Sequence, residues 1–174
     1  DSQGCHQFIR LNSGGGANLL INSGFEEDLA QGDWTGFGTL NDTAYQGAKS
    51  LKMNGSRTKE ITVATAGYNI AGESYVLSFY VKDCAASGDK FTLGSKEYNL
   101  SSSADWIRQQ LSYTYPATAS TNQVSFTINS SNCLIDNIKL EKGTAATNYS
   151  AYASGPSLIY EKLLPGYLTD ACYT

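Results

Sequence analysis

The chain has 174 residues and a formal net charge of −4, and only 16% of its residues are charged, against the usual quarter or so. Twelve Lys and Arg against sixteen Asp and Glu argue against nucleic acid as a partner, because phosphate neutralisation needs clustered cations. No apolar run approaches the ~20 residues that cross a bilayer, so membrane insertion is not expected. Ser, Thr, Asn and Gly replace the missing charge, alongside 12 Tyr and 2 Trp, a surface suited to neutral ligands outside the cell.

Residues 1–17 read as an N-terminal segment ending in a flexible hinge at Gly14-Gly15-Gly16. The opening Asp1-Ser2-Gln3-Gly4 has no basic and then apolar signal pattern, so the sequence reads as mature or excised from a larger protein. Residues 18–143 carry the strand signals. The first strands are predicted over Asn18 to Asn22, Ser50 to Asn54 and Lys59 to Ala64. In Tyr75 to Lys82 the odd positions Tyr75, Leu77, Phe79 and Val81 form one oily face, with Ser78, Tyr80 and Lys82 on the other. Lys90 to Leu93 follows. Leu111, Tyr113 and Tyr115 alternate with Gln110, Ser112 and Thr114, and Val124, Phe126 and Ile128 alternate with Ser125, Thr127 and Asn129. Leu134 to Leu140 closes the series. Turn signals such as Gly55-Ser56, Ala71-Gly72 and Ser87-Gly88-Asp89 separate these segments. Many short strands with one wet face indicate an all-β, two-sheet antiparallel β-sandwich or jelly roll. Residues 144–174, small and polar at first and then bearing Leu158-Ile159-Tyr160, form a C-terminal tail that docks or leads onward.

Four cysteines, Cys5, Cys84, Cys133 and Cys172, contain no CxxC pair, which argues against zinc and leaves three possible disulfide pairings. Cys84 and Cys133 each closely follow a predicted strand, which favours that bridge, with Cys5 and Cys172 joining the ends. Reduced thiols in a cytosolic protein are the alternative.

From Asn18 to Gly143 the chain resembles the carbohydrate-binding modules of glycoside hydrolases that share the galactose-binding-like jelly roll. The likeness rests on Asn18-Leu19-Leu20-Ile21-Asn22-Ser23-Gly24-Phe25-Glu26, Trp34, Gly47-Ala48-Lys49-Ser50-Leu51-Lys52, the Tyr75 to Lys82 strand, Trp106 and Leu134-Ile135-Asp136-Asn137-Ile138-Lys139-Leu140-Glu141. The ending Leu140-Glu141-Lys142-Gly143-Thr144-Ala145-Ala146-Thr147-Asn148-Tyr149-Ser150 is similar to the close of such modules in phage tail and bacterial surface proteins. The resemblance implies an extracellular or cell-surface module of a larger multidomain protein.

Two sites follow. Asp136 shares its parity with Leu134, Ile138 and Leu140, which points it inward, where an unpaired charge is costly. The resemblance implies a structural Ca²⁺ held by Glu26, the Lys49 carbonyl and Asp136; pairing of Asp136 with Lys52 or backbone amides is the alternative. Hard cations accept such oxygen ligands from distant segments. For the sugar, the resemblance implies stacking on Tyr80, an aromatic on the polar parity of its strand. Ser78, Lys82, Gln110, Ser112, Thr127 and Asn129 share its face if their strands are adjacent, and would bond the hydroxyls of an oligosaccharide or polysaccharide. Alternatively Tyr80 lies under a terminal segment. Trp34 and Trp106 read as packing residues, and Phe37, Tyr45 and Tyr68 as candidates for a second site at the loop tips.

No enzymatic role is expected. The single histidine, His6, lies outside the predicted domain, and no GxSxG, Walker or HExxH pattern occurs. Glu26, Glu27, Asp28, Asp33 and Asp42 read more simply as ion ligands and solvated loop charges than as glycosidase acids. The expected function is binding of a neutral glycan without catalysis. A structural or adhesive spacer with no free sugar site is the alternative.

Overall fold

A computed structural model describes residues 16–53, 55–61, 71–85, 88–101, 103–118 and 122–151, all within one unit, Gly15–Tyr152. The strands are β1 (Gly38–Asn41), β2 (Ser50–Met53), β3 (Gly55–Ile61), β4 (Ser74–Lys82), β5 (Lys90–Leu93), β6 (Lys96–Asn99), β7 (Ile107–Thr114), β8 (Asn122–Ile128) and β9 (Leu134–Lys142). They form a five-stranded sheet, β1-β2-β9-β4-β7, and a four-stranded sheet, β3-β8-β5-β6, with antiparallel pairing throughout. This is the expected all-β sandwich.

The alternation in β4 sets the interface. Tyr75, Leu77, Phe79 and Val81 all join the buried core, and Phe79 meets Phe91 and Phe126 of the other sheet edge-on, with ring centroids at 4.8 and 5.3 Å. Trp34 is fully buried between Phe25 and Phe37, and its indole N–H donates to the Ile21 carbonyl at 2.8 Å. Its expected packing role holds.

A disulfide joins Cys84, just beyond β4, to Cys133, just before β9. Beside it, buried Asp89 accepts from the amides of Ala85, Asn129 and Ser130 and from the Ser130 hydroxyl, joining the same two loops. Cys5 and Cys172 lie outside the described residues.

Residues 18–20 are irregular and 21–24 form a turn, in place of the strand expected over 18–22. Their polar groups are met otherwise: the Asn18 side chain accepts from Leu20 N and Leu140 N and donates to Ile138 O, and Leu19 N donates to Leu140 O. β3 begins at Gly55, four residues before the expected Lys59, and residues 62–64 lie outside the described set. β1 and β6 have no counterpart among the expected strands.

The largest correction concerns β9. Its register with β4 shifts between Ser78 and Tyr80, and Asn137 there has a φ of 50°, the signature of a bulge. Ile135, not Leu134, therefore enters the core with Ile138 and Leu140. Directly opposed residues share a face. Val81 faces Ile135 and Tyr80 faces Asp136, so Asp136 belongs to the outer face, against the inward direction expected from parity.

Candidate functional site

The outer face of the five-stranded sheet is built row by row from register. Arg108, Tyr80 and Asp136 lie side by side across β7, β4 and β9; Gln110, Ser78 and Lys139 form the next row, and Ser112, Val76 and Glu141 the third. At the first row the loop between β1 and β2 folds over the sheet. Tyr45 stacks on Tyr80, with ring centroids 3.5 Å apart and planes 12° from parallel, and Trp106 meets Tyr45 edge-on at 6.2 Å. Tyr45 keeps 43% of its surface exposed, and Tyr80 and Trp106 are half-buried. The hydrogen bond with Tyr45, then burial, pushes the Tyr80 phenol up from its ordinary value.

Asp136 fixes this loop. Its Oδ2 accepts from Tyr45 N at 2.8 Å and Gln46 N at 3.3 Å, while Oδ1 accepts from Asn137 N at 2.7 Å. It is fully buried although it lies on the outer face. Burial pushes its carboxyl up to about 6; the three amides pull it down, and the charge of Glu26 adds to the rise. Exposed Glu26 grips the far side of the same loop, accepting from Ala48 N at 3.0 Å and Lys49 N at 3.2 Å. Gly47 between them has a φ of +84°, and a Cβ there would lie 2.1 Å from Glu26 Oε1, so any other residue would be strained and would push the Glu26 carboxylate aside.

The two expected calcium carboxylates therefore converge on one loop, and the Lys49 amide reaches that loop's contact with Glu26. The Lys49 ammonium turns away to pair with Asp42. Among the described residues the hydrogen-bond partners of Asp136 are backbone amides, as in the alternative reading, while the carboxylate oxygens of Asp136 and Glu26 are of the donor type a hard cation accepts.

Beyond the first row, Ser78, Lys139 and Glu141 are covered. After β9 the chain returns across the sheet as a strap, residues 144–150. Thr147 N and Oγ1 each donate to Glu141 at 2.7 Å, and Lys139 Nζ donates to Thr147 Oγ1 at 2.6 Å and Asn148 O at 2.8 Å. Lys139 and Glu141 pair at 3.3 Å, both buried. Arg108 donates to Thr147 O and to Ser78 Oγ. Tyr149 then docks over Gly24, where a Cβ would come within 2.7 Å of its hydroxyl.

The expected sugar-contacting residues thus divide. Ser78 is buried beneath Arg108 and the strap. Lys82 is half-buried and donates to Ala104 O. Gln110 is exposed one row away. Thr127 and Asn129 are not on this face at all, because β8 pairs with β3 and β5 in the other sheet. Asn129 lies just past β8 and binds Gly88 O and Asp89. Tyr45, expected at a separate loop-tip site, stacks on Tyr80 instead, and Trp106, expected as a packing residue, meets Tyr45 edge-on. Tyr68 lies outside the described residues. Arg108, beside Tyr80, escaped the sequence reading because the strand was started at Gln110; extending its alternation by two residues places Arg108 on the outer face.

No protein-family model matches the sequence, and neither does any curated protein. Among solved structures, a family 16 carbohydrate-binding module superposes with a TM-score of 0.54 at 21% identity, covering 71% of this chain and 99% of that one. The fold is that of carbohydrate-binding modules. The module TmCBM61, solved in complex with β-1,4-galactotriose, gives 0.51 at 13% identity over 74% of this chain and 100% of that one. The enzymatically active domain of bacteriophage CBA120 tailspike protein 4 gives 0.51 at 14% identity over 72% of this chain and 21% of that one.

Proposed function

We propose that the chain is a non-catalytic glycan-binding module whose stacking surface is the Tyr45, Tyr80 and Trp106 cluster, working within a larger extracellular or cell-surface protein. The observation that carries this reading is the Tyr45 ring, held parallel on Tyr80 at 3.5 Å and 43% exposed. Tyr45 covers the face of Tyr80, and its own outward ring face is a flat surface suited to the C–H face of a pyranose, with hydroxyls at the rim finding polar partners. The Cys84–Cys133 bridge supports an oxidising compartment, and the low overall charge favours neutral sugars. The similarity to TmCBM61 supports an oligosaccharide as ligand class.

Calorimetric titration with neutral oligosaccharides of β-linked glucose, xylose, galactose and mannose tests the reading. We expect Kd between roughly 1 mM and 1 μM; absence of heat across the panel would refute it.

Glu26 and Asp136 would hold a structural Ca²⁺, with the Lys49 carbonyl as third ligand. The ion would supply positive charge to a buried carboxylate and brace the loop that carries Tyr45. Calcium should then raise the melting temperature by mass action, and Asp136→Ala should abolish the response. An unchanged melting curve on adding chelator to calcium-loaded protein speaks against it.

A spacer without a free sugar site is the second reading. The strap favours it, since Thr147 already satisfies Lys139, Glu141 and Arg108 on the sheet face.

A further inference from the structure

The strap leaves a different surface open beyond it. The β5–β6 hairpin closes the sandwich edge against β7: Lys96 Nζ donates to Ser112 O at 3.2 Å, and the Ser95 and Tyr113 hydroxyls meet at 3.0 Å. Between this hairpin, the outer face of β7 and the start of the strap lies a groove of about 190 Å³, below the roughly 300 Å³ of pockets for drug-sized ligands. It has room for one ring, not a chain.

The chemistry of its walls is specific. Tyr98, opposite Phe91 in register, stands at the sandwich edge with 48% of its surface exposed. Gln110 and Ser112 project from β7, and Thr144 faces them from the strap. Tyr98, Gln110, Ser112 and Thr144 are all exposed. They are solvated, and can exchange water for ligand hydroxyls at little cost. Toward β9 the same face is the reverse, since the strap takes up the polar groups of Lys139 and Glu141 and Arg108 takes that of Ser78. Val76, buried at 2% exposure, lies at the base of the groove, and half-buried Ala146 adds an apolar wall. The one charge, Lys96, is held by a carbonyl, while neighbouring Glu97 pairs with Lys90.

We infer that this groove is a second binding site, taking a single neutral pyranose such as a chain end or branch, with Tyr98 as stacking ring and Gln110, Ser112 and Thr144 as hydroxyl partners. The ligand class rests on the glycan reading above; the location does not. Val76 and Tyr80 are four residues apart on β4, about 13 Å at strand spacing, and Thr147 lies between, so one sugar ring cannot touch both sites.

Amide chemical shifts of the full chain, titrated with glucose, galactose, xylose and N-acetylglucosamine and with their β-linked trisaccharides, test this. We expect saturable shifts at Ser112, Ala145 and Ala146 with at least one sugar. Tyr98→Ala and Gln110→Ala, both at exposed positions, should each weaken them at least fivefold without moving shifts at Tyr45 and Trp106. Saturable shifts confined to Tyr45, Tyr80 and Trp106 overturn the groove and leave the glycan reading standing. Groove shifts that survive both substitutions overturn the assignment of its residues. No saturable shift anywhere overturns both.

Discussion

Asp89 is fully buried, and burial alone would raise its carboxyl. The Ser130 hydroxyl and the amides of Ala85, Asn129 and Ser130 outweigh that and hold it below the usual carboxylate range. A carboxylate depressed in the folded state adds stability above its unfolded pKa of about 3.9, and that stability is lost as pH falls through the lower, folded value. Asp89→Asn should therefore flatten the acid limb of the stability curve below about pH 4 and destabilise at pH 7 by on the order of 2 kcal/mol. Urea melts from pH 2 to 7 check this, and an acid limb equally steep in the variant contradicts it. Asp89 was legible only as a turn residue after Ser87-Gly88, because apart from the Ala85 amide its partners lie 40 and 41 residues away. Asp136 was legible as a carboxylate needing partners, and amides do meet it. Its direction was not, since a bulge reverses parity and the positive φ that marks it falls on Asn137, an ordinary strand neighbour by type.

The strap shows how an element outside the strands shapes the site. Its bonds converge on Thr147, whose hydroxyl both accepts from Lys139 and donates to Glu141. Thr147→Val keeps the shape and removes the hydroxyl, leaving two buried charged groups each short of a partner. We expect a loss of about 1 to 3 kcal/mol, with Thr147→Ser close to wild type, read from denaturant midpoints. A valine variant within about 0.5 kcal/mol of wild type, the ordinary range for surface changes, would show that the strap is held by other contacts. Small polar residues from Thr144 onward carry no periodic signal, so they read as a tail. The long strands β4 and β9 and the short β5 were legible because apolar residues alternate in β4 and β5 and apolar content marks β9; burial follows the alternation in β5, whereas in β4 Val76 and Ser78 are buried too. β6, with four exposed residues, offers no apolar alternation, and neither does β1.

Across the molecule, one sheet face carries three surfaces of different character: an aromatic end, a strapped centre and a polar groove. The two-sheet architecture follows from alternation that any half-buried antiparallel sheet shares. Strand order does not, and it separates Thr127 and Asn129 from Tyr80 by placing β8 in the opposite sheet. The aromatic end depends on that order as well, because only adjacency of β9 to β4 lets Asp136 fasten the Tyr45 loop over Tyr80. The direct measurement of its role is the calorimetric affinity of Tyr45→Ala and Tyr80→Ala for the oligosaccharide that wild type binds most tightly. Alanine keeps the Tyr45 amide for Asp136, and Tyr80 lies outside the core, so both variants should melt near wild type. Each should bind at least tenfold more weakly, about 1.4 kcal/mol, whereas wild-type affinity in both folded variants would contradict the account.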